Sequence, residues 1–363
     1  MDPRTRSAQR RRPLPLPAAL LVLLAIVLSA CSTPAATQAP SPVALASPTA
    51  APTVAPTPSP TPAPAFPLTL TDDEGTSVTL AAEPTKIVSL TPAATETLFA
   101  LGLGDKVVGK VEDFTPDPAD QERVAKIPDV AKFGSVDVEK IVSLGTDLVI
   151  AGGSGFNPPE SIAKLRQLGV PVIVEFAPDV KTALADMTLI GQATGTTDEA
   201  EAITTSVQQA FDEVATATAG LSKPRVYYEL DNTSGFFGPA PDYFGTEMIK
   251  VAGGDPLTSG TAGVYQIEEE KILSFDPEVV LLGDAAYGVT PDQVAARPGW
   301  GSVSAVKSGD VRPIDDVIVT RPGPRLADGI RTLALAIHPD LVLPGASPSA
   351  GSASPSPAAS GSY

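Results

Sequence analysis

The sequence predicts an α/β fold of two lobes with parallel-rich sheets, joined by a long rigid helix. Three observations carry that prediction. Runs rich in β-formers alternate with helical patterns, the mark of α/β units. A helix–strand segment recurs once at a constant offset of 131 residues. Between the two copies lies a helical pattern too long and too regular for a flexible linker.

Lys86-Ile87-Val88-Ser89-Leu90 reads as a buried strand. After it, Thr91-Pro92 reads as an N-cap with proline at the first helical position, and Gly102 follows the last helical residue. Further strands are expected at Leu148–Ala151, Val172–Phe176, Arg225–Leu230, Val279–Leu282 and Val311–Ile314. The repeat matches Glu139–Leu144 and Asp147–Ile150, ending at Gly152, with Glu270–Phe275 and Glu278–Leu281, ending at Gly283. Each copy is a short helix led by Glu, a turn and an apolar strand. Two copies imply a duplicated domain, not a solenoid. For the joining helix, Thr196 with Glu199, or Asp198 with Glu201, fits a capping box. Ile203, Val207, Phe211, Val214 and Leu221 keep helical spacing, and Gly220 closes the run. Over 197–219 such a rod measures about 34 Å.

The ends read differently. Arg4, Arg6, Arg10, Arg11 and Arg12 precede an apolar run from Ala18 to Leu28. That run is short for a bilayer span and suits an export signal. Leu28-Ser29-Ala30-Cys31 resembles the lipobox of bacterial lipoproteins, in which the Cys thiol takes a diacylglyceryl group and becomes the new N-terminus. Cys31 is the chain's single cysteine. Residues 32–71 contain no charge and are dominated by Pro, Ala, Thr and Ser, a composition that favours an extended spacer over a core. The expected organisation is a signal peptide over 1–30, a tethering linker over 31–66 and a first lobe over 67–195. The joining helix follows over 196–221, the second lobe over 222–344, and a Ser/Pro/Ala/Gly tail over 345–363.

Composition removes several functions. The chain has 363 residues and a formal net charge of −17, against the basic footprint nucleic acid requires. Removing the signal takes it to −21. One Cys and one His exclude a disulfide framework and a thiolate or histidine metal cluster. No nucleophile–base constellation is visible, so an enzyme is not expected.

The segments "KIVSLTPAATETLFALGLGDKVVG" (86–109), "FGSVDVEKIVSLGTDLVIA" (133–151) and "YYELD" (227–231) resemble those of the substrate-binding proteins of ABC importers. So do "IKVAGGDPL" (249–257), "EEEKILSFDPEVVLLG" (268–283) and "RPGPRLADGI" (321–330). The resemblance runs from about 84 to 341. It is to the class that captures cobalamin, ferric siderophores or haem, and most to the cobalamin binders. It implies two Rossmann-like lobes with a ligand cleft between them. It also implies a monomer held at the membrane by a lipid anchor, and delivery of cargo to a permease dimer with its ATPase. No cofactor is implied, because the corrinoid or ferric siderophore is cargo. A ferric-siderophore receptor is the alternative, although such proteins often gather arginines and this chain is acidic. Haem follows, with His338 poorly placed as an axial ligand although a tyrosine can serve. An extracytoplasmic enzyme, or a sensor or adhesion module, is a remoter reading.

Site residues follow from both lines of reasoning. The turn Thr91–Thr95 sits beyond a strand's carboxyl end, where α/β sheets bind ligands, and the N–H groups of Ala93, Ala94 and Thr95 are candidate donors. Phe114, Phe133, Phe236, Phe237, Tyr243 and Tyr265 lie in Gly/Pro-rich connections, where aromatics suit the flat faces of a macrocycle. Of these, the resemblance singles out Phe114, Phe133 and Tyr265 as cleft aromatics. Arg321, near Asp315, Asp316 and Arg325, is a candidate rim contact or a structural ion pair. Trp300 and His338 read as structural. Glu139 and Glu270 hold equivalent places in the repeat, each near a helix N-terminus, where a carboxylate also stabilises the helix dipole. The resemblance makes them permease-docking residues, with Glu269 as a neighbouring substitute for the second.

Overall fold

The computed structural model describes residues 65–112 and 116–343. The expected signal peptide, Cys31, most of the expected linker, Phe114 and the expected tail lie outside the described residues.

Six strands organise the first lobe. Their order is Ser135–Val136, Asp129–Lys132, Val107–Val111, Ile87–Ser89, Leu148–Gly152 and Val172–Glu175. All neighbours run parallel except the edge strand Ser135–Val136. The central strands are buried on both faces, which is why they read as unbroken apolar runs instead of an alternation. The second lobe has four parallel strands in the order Asp255–Pro256, Arg225–Glu229, Val279–Leu282 and Val311–Pro313. Both sheets start from an interior strand whose neighbours follow on either side. In the first lobe this puts a topological switch point at the carboxyl end of Ile87–Ser89, and there Thr91 begins the helix Pro92–Ala100. Two small antiparallel pairs, Leu68–Thr71 with Ser77–Leu80 and Phe236–Phe237 with Gln266–Ile267, complete the sheets.

The repeated segments fold alike. Val138–Ser143 precedes Leu148–Gly152, and Glu269–Phe275 precedes Val279–Leu282. Both helices lie one turn before a buried strand, so the copies place Glu139 and Glu270 on corresponding outer surfaces.

The joining helix spans Thr197–Thr218, about 33 Å at 1.5 Å per residue. It does not act alone. Val180–Thr194 packs along it, the two connected through Gly195 in the left-handed region. Each helix enters both cores: Met187 and Val214 bury in the second lobe's cluster, Ile190 and Ala200 in the first lobe's. Gly191 makes the crossing possible, because a Cβ there would stand 2.4 Å from the Ala200 Cβ. The expected capping boxes do not form. Thr196 is the N-cap but makes no side-chain cap bond; its hydroxyl pairs instead with that of Thr194 at 2.9 Å. Asp198 lies inside the first turn, where it cannot serve as a cap. The last helix, Leu326–Ile337, packs on the long one and ends at His338, whose Nε2 lies 3.3 Å from the Gly253 carbonyl.

Candidate ligand-binding cleft

A cavity of about 520 Å³ opens between the lobes. The first lobe contributes Thr91, Ala93, Gly152, Phe156, Glu175, Phe176 and Asp186; the second contributes Asp242, Tyr243, Tyr265, Thr320 and Arg321. Its position follows from the topology, since three of the first-lobe strands end here.

Thr91 is the pivot of the first wall. Its Oγ1 accepts the Ala94 N–H at 3.1 Å and donates to Glu175 Oε1 at 3.2 Å, tying the helix start to the end of the last strand. The wall passes close by at Gly152, where a Cβ would lie 2.8 Å from Thr91 Cγ2 and 3.0 Å from Phe156 Cβ. Glycine is therefore required at that strand end. Phe156 and Phe176 stand half-exposed along this wall.

On the second wall, Tyr243 and Tyr265 meet edge-to-face with centroids 5.7 Å apart. Tyr243 is the N-cap of Phe244–Val251, and Asp242 accepts the Gly263 N–H at 2.9 Å, holding the two loops together. Burial pushes the Tyr243 phenol up, with Asp316 and Tyr265 adding to it. Burial, then Asp242, raises Tyr265 as well. Both phenols stay protonated near neutral pH.

The carboxyls of the first wall are displaced more. Burial raises Glu175 to about 8, opposed by the Thr91 hydrogen bond and reinforced by Asp73. Asp186 is raised to about 9 by burial, then by Glu175 and Asp73. At pH 7 both therefore favour the protonated form, Asp186 more strongly than Glu175. Asp186 is 6% exposed, and its Oδ1 has no hydrogen-bond partner.

Of the residues expected from the sequence, Thr91, Ala93, Tyr243, Tyr265 and Arg321 come together in the cavity. Ala94 and Thr95 do not: both are fully buried, and their N–H groups are taken by Thr91 Oγ1 and the Thr91 carbonyl. Of the three expected amide donors only Ala93 reaches the cavity. Phe133 lies outside the lining, 78% exposed and edge-on to Phe156 at 6.2 Å. Phe237 is also outside, in the short strand paired with Gln266–Ile267; that pairing brings Tyr265, the residue before it, to the cavity instead. Phe236 packs on Trp300 at 5.4 Å. Arg321 lines the cavity but also donates to Glu96 Oε1 at 2.9 Å.

Glu139 and Glu270 are exposed in the first turns of their helices. Glu269 is engaged inward, accepting the indole N–H of the buried Trp300 at 2.8 Å. That bond separates the two neighbouring glutamates and leaves Glu270 as the outward one.

Sequence reasoning missed Phe156, Phe176, Glu175, Asp186 and Glu96. Glu175 ends an apolar strand and Asp186 interrupts the apolar face of a helix. A charged residue on such a face was the available signal. Among the described residues no helix is long and apolar enough to cross a membrane, and no three His, Cys, Asp or Glu side chains gather as a metal site.

The sequence profile of the periplasmic binding protein family matches residues 87–317. An ABC transporter substrate-binding lipoprotein of Bacillus subtilis is 33% identical over 280 residues, covering 76% of this chain and 87% of the relative. A cobalamin-binding protein of Halobacterium salinarum is 29% identical over 283 residues, covering 76% and 75%. Among solved structures, the periplasmic vitamin B12-binding protein of Vibrio cholerae superposes with a TM-score of 0.60 at 25% identity, covering 70% of this chain and 96% of that one. The apo form of a periplasmic haem-binding protein from Roseiflexus sp. RS-1 gives 0.61 at 27%, covering 70% and 98%.

Proposed function

Because the chain belongs to the periplasmic binding protein family, we propose that it captures a cobalamin-type corrinoid outside the cytoplasm and delivers it to the permease of an ABC importer. The observation that carries the reading is the interlobe cavity, of about 520 Å³, with Phe156 and Phe176 on one wall and Tyr243 and Tyr265 on the other. Aromatic walls from two lobes suit the flat faces of a macrocycle, while protonated phenols and acids suit the amides at its edge. The cobalamin-binding relatives support the same cargo.

Haem is the second reading, favoured by the likeness to haem-binding structures. The cleft argues against it. An axial tyrosine acts as a phenolate, and burial together with Asp242 pushes Tyr265 the other way.

Delivery rests on the two outward glutamates, Glu139 and Glu270, placed by the repeat one on each lobe. Paired acidic contacts steer association and fix register against basic pockets. Cys31, as the lipidated N-terminus, tethers the protein through the Pro/Thr/Ala-rich linker and keeps it near its permease. Equilibrium binding of cyanocobalamin to the purified protein tests the capture step, and saturable binding is expected.

A further inference from the structure

Among the described residues of the first lobe, Arg166 Nε and Asp186 Oδ1 are buried without a hydrogen-bond partner, and of the two only Asp186 lines the cavity. It sits on the helix Val180–Thr194, lines the cavity, is 6% exposed, and its Oδ1 finds no partner in the protein. A buried polar atom left unpaired costs the folded state and is retained where something else completes it. Glu175 lies on the same wall, held through its Oε1 by the Thr91 hydroxyl.

We propose that Asp186 and Glu175 form the specificity wall of the cleft, receiving the side-chain carboxamides of the cargo and excluding cargo that carries carboxylates there. This rests on the corrinoid reading and extends it to the groups that decide between amide-bearing and acid-bearing ligands.

The surroundings of the pair make the chemistry definite. The charged groups facing Asp186 are Glu175 at the strand end, Asp73 from the first hairpin and Asp179 at the start of its own helix. Asp73 is itself occupied, accepting the Phe176 N–H at 2.7 Å, and Asp179 caps its helix through the Thr182 N–H at 2.7 Å. The wall is therefore acidic, and Arg321, the cation that lines the same cavity from the opposite lobe, is engaged by Glu96. Burial favours the protonated form of both carboxyls at neutral pH. A protonated carboxyl presents one O–H and one C=O, the complement of a primary carboxamide's C=O and N–H. The two groups close a reciprocal pair of hydrogen bonds. A ligand carboxylate in the same place has no N–H for the wall's C=O to accept, so one of the two bonds is lost and two acceptors face each other.

The test compares cyanocobalamin with its mono-carboxylic acids, each having one side-chain amide hydrolysed, by equilibrium titration at pH 7. For the wild-type protein, at least one acid isomer is expected to bind about tenfold or more weakly. Asp186→Leu is expected to weaken cyanocobalamin by a similar factor, whereas Asp186→Asn, which keeps a neutral donor and acceptor, stays within about threefold. Equal affinity of every acid isomer for the wild type overturns the proposal, whether or not the Leu variant folds. So does unchanged cyanocobalamin affinity in a folded Asp186→Leu protein. In both cases cyanocobalamin still binds and the corrinoid reading stands. Absence of any cyanocobalamin binding by the wild type overturns that reading and this one together.

Discussion

Arg321 Nη1 lies 2.9 Å from Glu96 Oε1, joining residues of opposite lobes that are 225 positions apart in the chain. Arg325 binds the same carboxylate from one turn further along. Glu96 is 7% exposed and stands on the helix that Thr91 begins, so the bridge is anchored one turn from the cleft wall. It fixes the spacing of the two walls, alongside the paired helices that run through both cores.

Glu96→Ala removes the buried carboxylate that the Arg321 and Arg325 guanidinium groups share. Breaking a buried pair in this way costs about 3 kcal/mol. The urea midpoint at pH 7 should fall accordingly, with unchanged far-UV circular dichroism below the transition. A change under 1 kcal/mol would show that the helices alone set the lobe spacing.

The aromatic walls rank the contacts. Tyr265→Ala and Phe156→Ala should each weaken cyanocobalamin by about 1–3 kcal/mol, the range for losing a stacked aromatic with its buried area. Phe133→Ala should cost less, because Phe133 touches the cavity only through Phe156. Isothermal titration of the three variants gives the order directly.

The wall acids impose a pH dependence on stability. Glu175 moves from an ordinary value of 4.5 to about 8, and Asp186 from 3.8 to about 9, so between these limits the folded state holds protons the unfolded chain has lost. With more protons on the native state, stability decreases as pH rises. The loss begins above the unfolded values near 4 and is complete once pH passes the folded ones. Urea midpoints should fall from pH 5.5 to 8.5, and Asp186→Asn should flatten the slope. A midpoint that rises over that interval would contradict the assignment.

For delivery, Glu139→Arg with Glu270→Arg should abolish import while leaving cyanocobalamin affinity intact. Reversed charges add repulsion at the proposed docking surface, and neither residue lines the cleft cavity. Each single reversal should be milder, since the other lobe still engages and the proposed tether would keep local concentration high. Normal uptake by cells carrying the double variant would leave both glutamates as helix-dipole residues only.

The strands and the joining helix were legible because they bury on two faces or one, and burial writes itself as apolar runs or 3.6-residue spacing. The companion helix Val180–Thr194 was not, since its apolar positions serve first one core and then the other. Thr91 and Tyr265 were readable from a strand end and a loop aromatic. Ala94 and Thr95 misled because a helix's first amides are donors only until a cap takes them, and Thr91 caps this one. The charge at Asp186 was visible on an apolar face, but the unpaired atom that gives it significance was not, because pairing exists only in three dimensions.

The most direct test is competitive equilibrium titration of the purified protein with cyanocobalamin, haemin and a ferric hydroxamate chelate at pH 7. Capture of a corrinoid between aromatic walls predicts saturable cyanocobalamin binding with Kd below about 1 μM, or about −8 kcal/mol, and weaker binding of the other two. Saturable binding of haemin or the ferric chelate, with none of cyanocobalamin, would contradict it.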